Sequence, residues 1–298
     1  MKLHPYCWIA ATACALCCAG GCATFSGHAV DSNVVDGRQQ CQQGLEAARS
    51  GNSEEAETLF AAAVESCEAD ERARKLYAES LWSKGDREAA IKHMGEAVRL
   101  SGGDPETAVR LGEMYLAEGN VRAATRQASR AIAASPQLAT AWALEGDILA
   151  ASGEDDLALA RYHRALAHQQ RFPHVQFAVA DIYAKKGRHA RALATLAALS
   201  HQYEPGHCPQ RLHVMRARTY RAMRQYDEAA AEFSLATRAA PPTCELLYEL
   251  AETLAANGET TAARMTAEQA LALEPQHADS RRLMAQLNAG GNSALRRY

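Results

Sequence analysis

Between residues 37 and 277 the apolar positions recur in blocks of 34. Counting from the start of each block, the eighth position holds Gly44, Ala78, Gly112, Gly146, Ala180, Ala217 and Ala251, and the twentieth holds Ala56, Ala90, Ala124, Ala158, Ala192, Ala229 and Ala263. Larger side chains fill the eleventh (Leu81, Tyr115, Leu149, Tyr183, Tyr220, Leu254) and the twenty-fourth (Phe60, Met94, Tyr162, Leu196, Phe233). Within a block these positions follow the 3.6-residue period of a helix with one buried face. The obligatory small residues mark where two helix axes approach too closely for anything larger. Gly51, Gly85, Gly119, Gly153, Gly187 and Gly258 stand between the two helical stretches, as a left-handed helix end requires, and Pro136, Pro241 and Pro275 close the second helix. Two irregularities are visible. Leu199 interrupts the alanines of the twenty-seventh position, and Arg224 stands where the other turns have glycine, which predicts a strained turn.

The length of the block, the small residues at its eighth, twentieth and twenty-seventh positions, and Trp142 at its fourth resemble the tetratricopeptide repeat. That resemblance implies an all-α fold, a right-handed α-solenoid of seven helix-turn-helix repeats at 37–70, 71–104, 105–138, 139–172, 173–206, 210–243 and 244–277. The insertion His207-Cys208-Pro209 is the one slip in register. Residues 278–289 are expected to cap the exposed face of the last repeat, followed by a disordered tail at 290–298.

The N-terminus departs from this pattern. Lys2, an uncharged stretch from Tyr6 to Ala19, and Ala19-Gly20-Gly21-Cys22 read as a signal peptide over residues 1–21. The apolar stretch is shorter than the roughly 20 residues that cross a hydrocarbon core. Small residues before a cysteine resemble the lipobox of bacterial lipoproteins, which implies lipidation at Cys22, export, and anchoring to a bacterial membrane, by its sorting pattern the outer membrane facing the periplasm. Ordinary secretion and an uncleaved leader are the alternatives. Residues 22–36 show no helical periodicity and are expected to form a flexible tether spanning on the order of 20 Å.

The formal charge of −3, or −4 without Lys2, lacks the basic excess that drives nucleic-acid binding. No phosphate loop, nucleophile elbow or paired-histidine metal helix is present in the sequence, so neither an enzyme nor a cofactor is expected. His201, His207, Cys208 and His213 cluster in sequence without metal-site spacing and are expected at the surface. Asp155-Asp156 and Asp227-Glu228 each open a second helix, where negative charge suits the helix dipole. Arg211, Arg216, Arg218, Arg221 and Arg224 make one helix basic, either to neutralise neighbouring acidic helices or to meet a partner. Of nine cysteines, four lie beyond the leader and anchor, three of them in the repeats and Cys208 in the insertion. Export would let them pair, Cys41 with Cys67 and Cys208 with Cys244, at one edge of the solenoid.

In the tetratricopeptide family the first helix of each repeat lines a groove. The resemblance places Lys75, Glu79, Trp82, Val109, Glu113, Leu116, Asp147, Phe177, Asp181, Arg218, Tyr248 and Glu252 on it. The ninth position alone gives a ladder of carboxylates, Glu79, Glu113, Asp147, Asp181 and Glu252, broken by Leu45 and Arg218. Lys75 is the one residue that resembles the family's carboxylate clamp, and Glu79 stands four residues on. The implied activity is a membrane-anchored scaffold in cell-envelope assembly. Its partner would be a protein or peptide with basic residues between apolar anchors such as Trp82, Val109, Leu116, Phe177 and Tyr248. An accessory subunit of an envelope enzyme and a self-associating structural solenoid are the competing readings.

Overall fold

The computed structural model describes residues 32–204 and 206–295, all of its regular structure α-helical. The signal segment and Cys22 lie outside the described residues. Seven hairpins follow one another: α1 (Ser32–Arg49) with α2 (Ser53–Ser66), α3 (Glu71–Lys84) with α4 (Arg87–Leu100), α5 (Pro105–Ala117) with α6 (Val121–Ala134), and α7 (Ala139–Ala151) with α8 (Asp155–His168). After them come α9 (Pro173–Lys185) with α10 (His189–Ser200), α11 (Gln210–Ala222) with α12 (Tyr226–Ala239), and α13 (Cys244–Ala256) with α14 (Thr260–Leu273). The last helix is α15 (Ala278–Leu295).

Each helix packs mainly on its neighbours in sequence, and odd-numbered helices also touch one another across the repeat boundary, as α5 does α7. The odd helices therefore form the inner layer and the even helices the outer one. The small positions do what their size predicts: Ala78, Ala180, Ala217 and Ala251 are fully buried, as are Ala90, Ala124, Ala158, Ala192, Ala229 and Ala263. Leu199, the irregular residue, is buried as well and packs with Leu196 and Leu212.

Local chemistry sets the helix ends. Asn52, Asp70, Asp86, Asp104 and Asn120 each accept a hydrogen bond from the first turn of the helix that follows, whereas the starts of α7 to α12 have no side-chain cap. The turn glycines are left-handed, and among the described residues Arg224 is the one non-glycine with positive φ, at 60°. That conformation costs a side-chain-bearing residue about 1–2 kcal/mol. Arg224→Gly is therefore expected to raise the unfolding free energy by about 1 kcal/mol, read as a higher urea midpoint at unchanged slope.

Three expectations are corrected. The helix α1 begins at Ser32, inside the segment read as a tether, and Gly37, the first residue of the expected repeat, lies close to Ala63, Ser66 and Cys67 at the end of α2. The last helix runs to Leu295, so most of the expected tail continues the cap. Cys41, Cys67, Cys208 and Cys244 are free thiols, and neither expected pair is closed. Cys41 is packed with Ala63, Val64 and Ala73, and Cys244 with Leu247 and Ala270. Cys208 instead directs its Sγ at the Ser200 carbonyl, 4.0 Å away. Burial pushes the Cys41 and Cys244 thiols up, which keeps them protonated and unreactive.

Candidate binding groove

The inner layer opens into a cleft of about 500 Å³ where α5, α7 and the start of α9 meet. Leu116 and Ala117 of α5, Ala143 and Leu144 of α7, and Phe172 before α9 make its apolar floor. Glu113, Thr140, Asp147 and His174 supply the polar groups. The eighth-position glycines shape this layer. A Cβ on Gly112 would come within 2.5 Å of Leu144 Cδ2, and one on Gly146 within 2.5 Å of Tyr162 Cε1. Their absence lets the floor side chains sit close beneath the groove.

Asp147 is the centre of the polar arrangement. It accepts a hydrogen bond from Tyr162 Oη at 2.7 Å, and His174 Nε2 lies 3.0 Å from its other oxygen. Burial, then the neighbouring carboxylate, pushes the Tyr162 phenol well above its ordinary range, so it stays a donor. The Asp147 hydrogen bond raises the His174 imidazole above its ordinary 6.5, against the opposing effect of burial. Glu113 is exposed at the cleft edge and shares Arg110, whose Nη1 is 3.0 Å away.

The carboxylate ladder is less negative than the sequence implies, because most of its members carry a cation of their own. Arg110 grips Glu79 through two bonds of 2.6 and 2.7 Å. Lys185 lies 2.6 Å from Asp181, and Arg221 lies 2.9 Å from Glu252, which also accepts from Tyr248 Oη. Lys75 belongs to a different place, a pocket with Glu71, Asp104 and Thr107. Its neighbour in sequence, Glu79, is committed to Arg110.

Of the five expected anchors, the cleft uses Leu116. Val109 and Phe177 are core residues at 4% and 6% exposure, and Arg211 lies over the Phe177 ring at 4.6 Å. Trp82 packs against the core under Arg87, 4.0 Å from its ring, and Tyr248 packs edge-on to His277. The basic helix α11 is mostly satisfied internally: Arg216 pairs with Glu232, and Arg218 and Arg221 both reach Glu249, which is buried. His213 is half-buried, 2.8 Å from Glu232, and so is not the surface residue expected. Among the described residues no group of three or more His, Cys, Asp or Glu is placed to hold a metal ion.

Sequence reasoning missed Arg110, His174, Phe172 and Thr140. One signal was available. Glu79 and Arg110 stand 31 residues apart, and so do Arg218 and Glu249, with the signs exchanged. Both pairs join the ninth position of one repeat to the sixth of the next. In the repeats between, the sixth position holds Leu144, Ala178 and Met215, so Asp147 and Asp181 find no such partner.

A helical-hairpin solenoid with an inner groove of this kind is an interaction scaffold. The family model described as tetratricopeptide repeat matches residues 41–105 and 214–280, and the hairpins between those two segments repeat the same helix-turn-helix unit. Its fold is similar to that of Pseudomonas aeruginosa pilF, at 16% identity and a TM-score of 0.61, over 75% of this chain and 99% of that one. It is similar also to a tetratricopeptide repeat protein from Parabacteroides merdae, at 14% identity and a TM-score of 0.62, over 85% of this chain and 99% of that one. A chain of the APC/C hetero-tetramer Cut9-Hcn1 matches with a TM-score of 0.51 at 16% identity, over 85% of this chain and 43% of that one. No curated protein sequence matches the chain.

Proposed function

We propose that the protein is a membrane-anchored scaffold, tethered through Cys22, which holds a basic, apolar-studded segment of a partner protein in the α5–α7–α9 cleft during cell-envelope assembly. The observation that carries the groove reading is the pairing of Glu113 and Asp147 above the Leu116–Leu144 floor. A lysine or arginine of the partner reaches the carboxylates while its neighbouring apolar side chain covers the floor, and such a contact is steered by charge and weakened by salt. The anchor reading rests on the lipobox resemblance.

The groove is tested by Glu113→Lys with Asp147→Lys, using a crosslinker placed at Thr140 in cells. Recovery of crosslinked partner is expected to fall at least tenfold with the helical circular dichroism spectrum retained. Equal recovery from the folded double variant overturns the groove as the binding surface. The anchor is tested separately, since Cys22→Ala is expected to abolish labelling by a fatty-acid analogue. Persistent labelling of that variant removes the anchor and leaves the groove reading standing.

A further inference from the structure

The outer layer has an opening of its own. Helices α4, α5 and α6 frame a cleft of about 540 Å³ with Val98, Leu111 and Tyr115 at its floor and Arg99 and Arg130 at its rim. Its origin is Gly95, where an added Cβ would meet nothing within 4 Å. Two repeats later the same twenty-fifth position is His163, whose Nε2 lies 3.2 Å from the hydroxyl of Tyr183. Tyr183 is the repeat equivalent of Tyr115. The space that the fourth repeat fills with its own imidazole is therefore left open between the second and third.

Polar groups at and beside the opening are unmet. Gln127 lines the wall at 7% exposure, and its Oε1 is buried with no hydrogen-bond partner. Arg122, Arg126 and Arg130 follow one another at four-residue spacing on one face of α6, all exposed, in a helix with no acidic residue. None of the three has an ion-pair partner among the described residues. Arg99 differs, since Glu96 holds it at 2.8 Å.

We propose that this outer face is a second docking surface, which takes an acidic protein segment and seats one of its aromatic or long aliphatic side chains over Gly95. Charge complementarity selects the occupant. Free guanidinium groups on a ridge bind carboxylates through paired hydrogen bonds, and the apolar floor beside them takes the side chain between those carboxylates. The inner cleft presents carboxylates and the outer ridge arginines, on opposite helix layers. The scaffold then bridges a basic partner and an acidic one, and this second role stands whether or not the inner groove is used.

The test uses three synthetic heptapeptides: glutamate-rich with a central phenylalanine, the same with a central alanine, and the lysine-rich counterpart. Binding to the isotope-labelled protein is followed by amide NMR shifts. The acidic phenylalanine peptide is expected to move Gly95, Gly102 and Gly103, and to bind at least fivefold tighter than its alanine version. Arg126→Glu with Arg130→Glu is expected to weaken it at least tenfold. Gly95→His, which places in the cleft the side chain that the fourth repeat carries there, is expected to weaken it similarly. Gly95→Ala fills only open space and raises helix propensity, so it keeps binding and does not lower the thermal midpoint. The proposal is overturned by no binding of the acidic peptide at millimolar concentration, by equal movement of Gly95, Gly102 and Gly103 with the lysine peptide, or by affinity unchanged in the arginine variant. Shifts confined to Glu113 and Asp147 overturn it too, as does arginine-dependent recruitment of phosphatidylglycerol vesicles without peptide binding.

Discussion

Tyr162→Ala is expected to destabilise the solenoid by about 3–5 kcal/mol, the range for removing a large aromatic from a filled core. The ring is 1% exposed, packs among Ala158, Ala165 and Val179, and is pinned at its far end by the bond to Asp147. Gly146→Ala should cost about 1–3 kcal/mol by the opposite route, since the new methyl would overlap a ring with nowhere to go. An aromatic at this position does not always demand glycine, because Ala217 and Phe233 occupy the same pair of positions in the sixth repeat and both are fully buried. The added constraint in the fourth repeat is the hydroxyl tie to Asp147. In the pair Gly146→Ala with Tyr162→Leu, the smaller flexible side chain gives the methyl room, so the double variant should be less destabilised than the sum of the two single ones. Urea unfolding of the four proteins checks this, and strict additivity would show that the ring does not meet the helix at Gly146.

The same contact explains what could be read from the sequence. Close approach of two helices leaves a size signature at every repeat, so the small residues from Gly44 to Ala263 disclosed the hairpins and their register. The strained turn at Arg224 was legible for a similar reason, since a left-handed helix end tolerates few residues besides glycine. Groove chemistry leaves no such periodic mark. Whether Glu79 faces solvent or Arg110 depends on the rotation between successive hairpins, and Val109 and Phe177 sit on a side of their helices that only that rotation decides. Arg110, Lys185 and Arg221 thus change a reading of five free carboxylates into one concentrated around Asp147. Helix start and end were hidden for another reason: Ser32–Asp36 and Gly290–Leu295 carry residues common in loops, and helix runs on past the repeats at both ends.

Asp147 also makes the inner groove sensitive to pH. Its hydrogen bond raises the His174 pKa above 6.5, with a smaller push from Glu113 and an opposing one from Arg211. When His174 is protonated it occupies the carboxylate that the lysine or arginine of the proposed partner would need. Where the two cations exclude each other, apparent affinity scales with the fraction of neutral imidazole, so it falls about tenfold for each pH unit below the His174 pKa and is flat above it. By the same linkage, binding of such a partner would expel a proton. Stability runs the other way. A raised folded-state pKa contributes stability that is complete below 6.5 and is lost as pH rises through the folded value, and with His174 56% exposed on its side chain the contribution is small. Titrating a lysine-rich peptide against the protein across this interval should therefore show binding strengthen while thermal stability slips. His174→Gln should hold the tight-binding limit at every pH in the range, and a variant that keeps the slope would place the titrating group elsewhere.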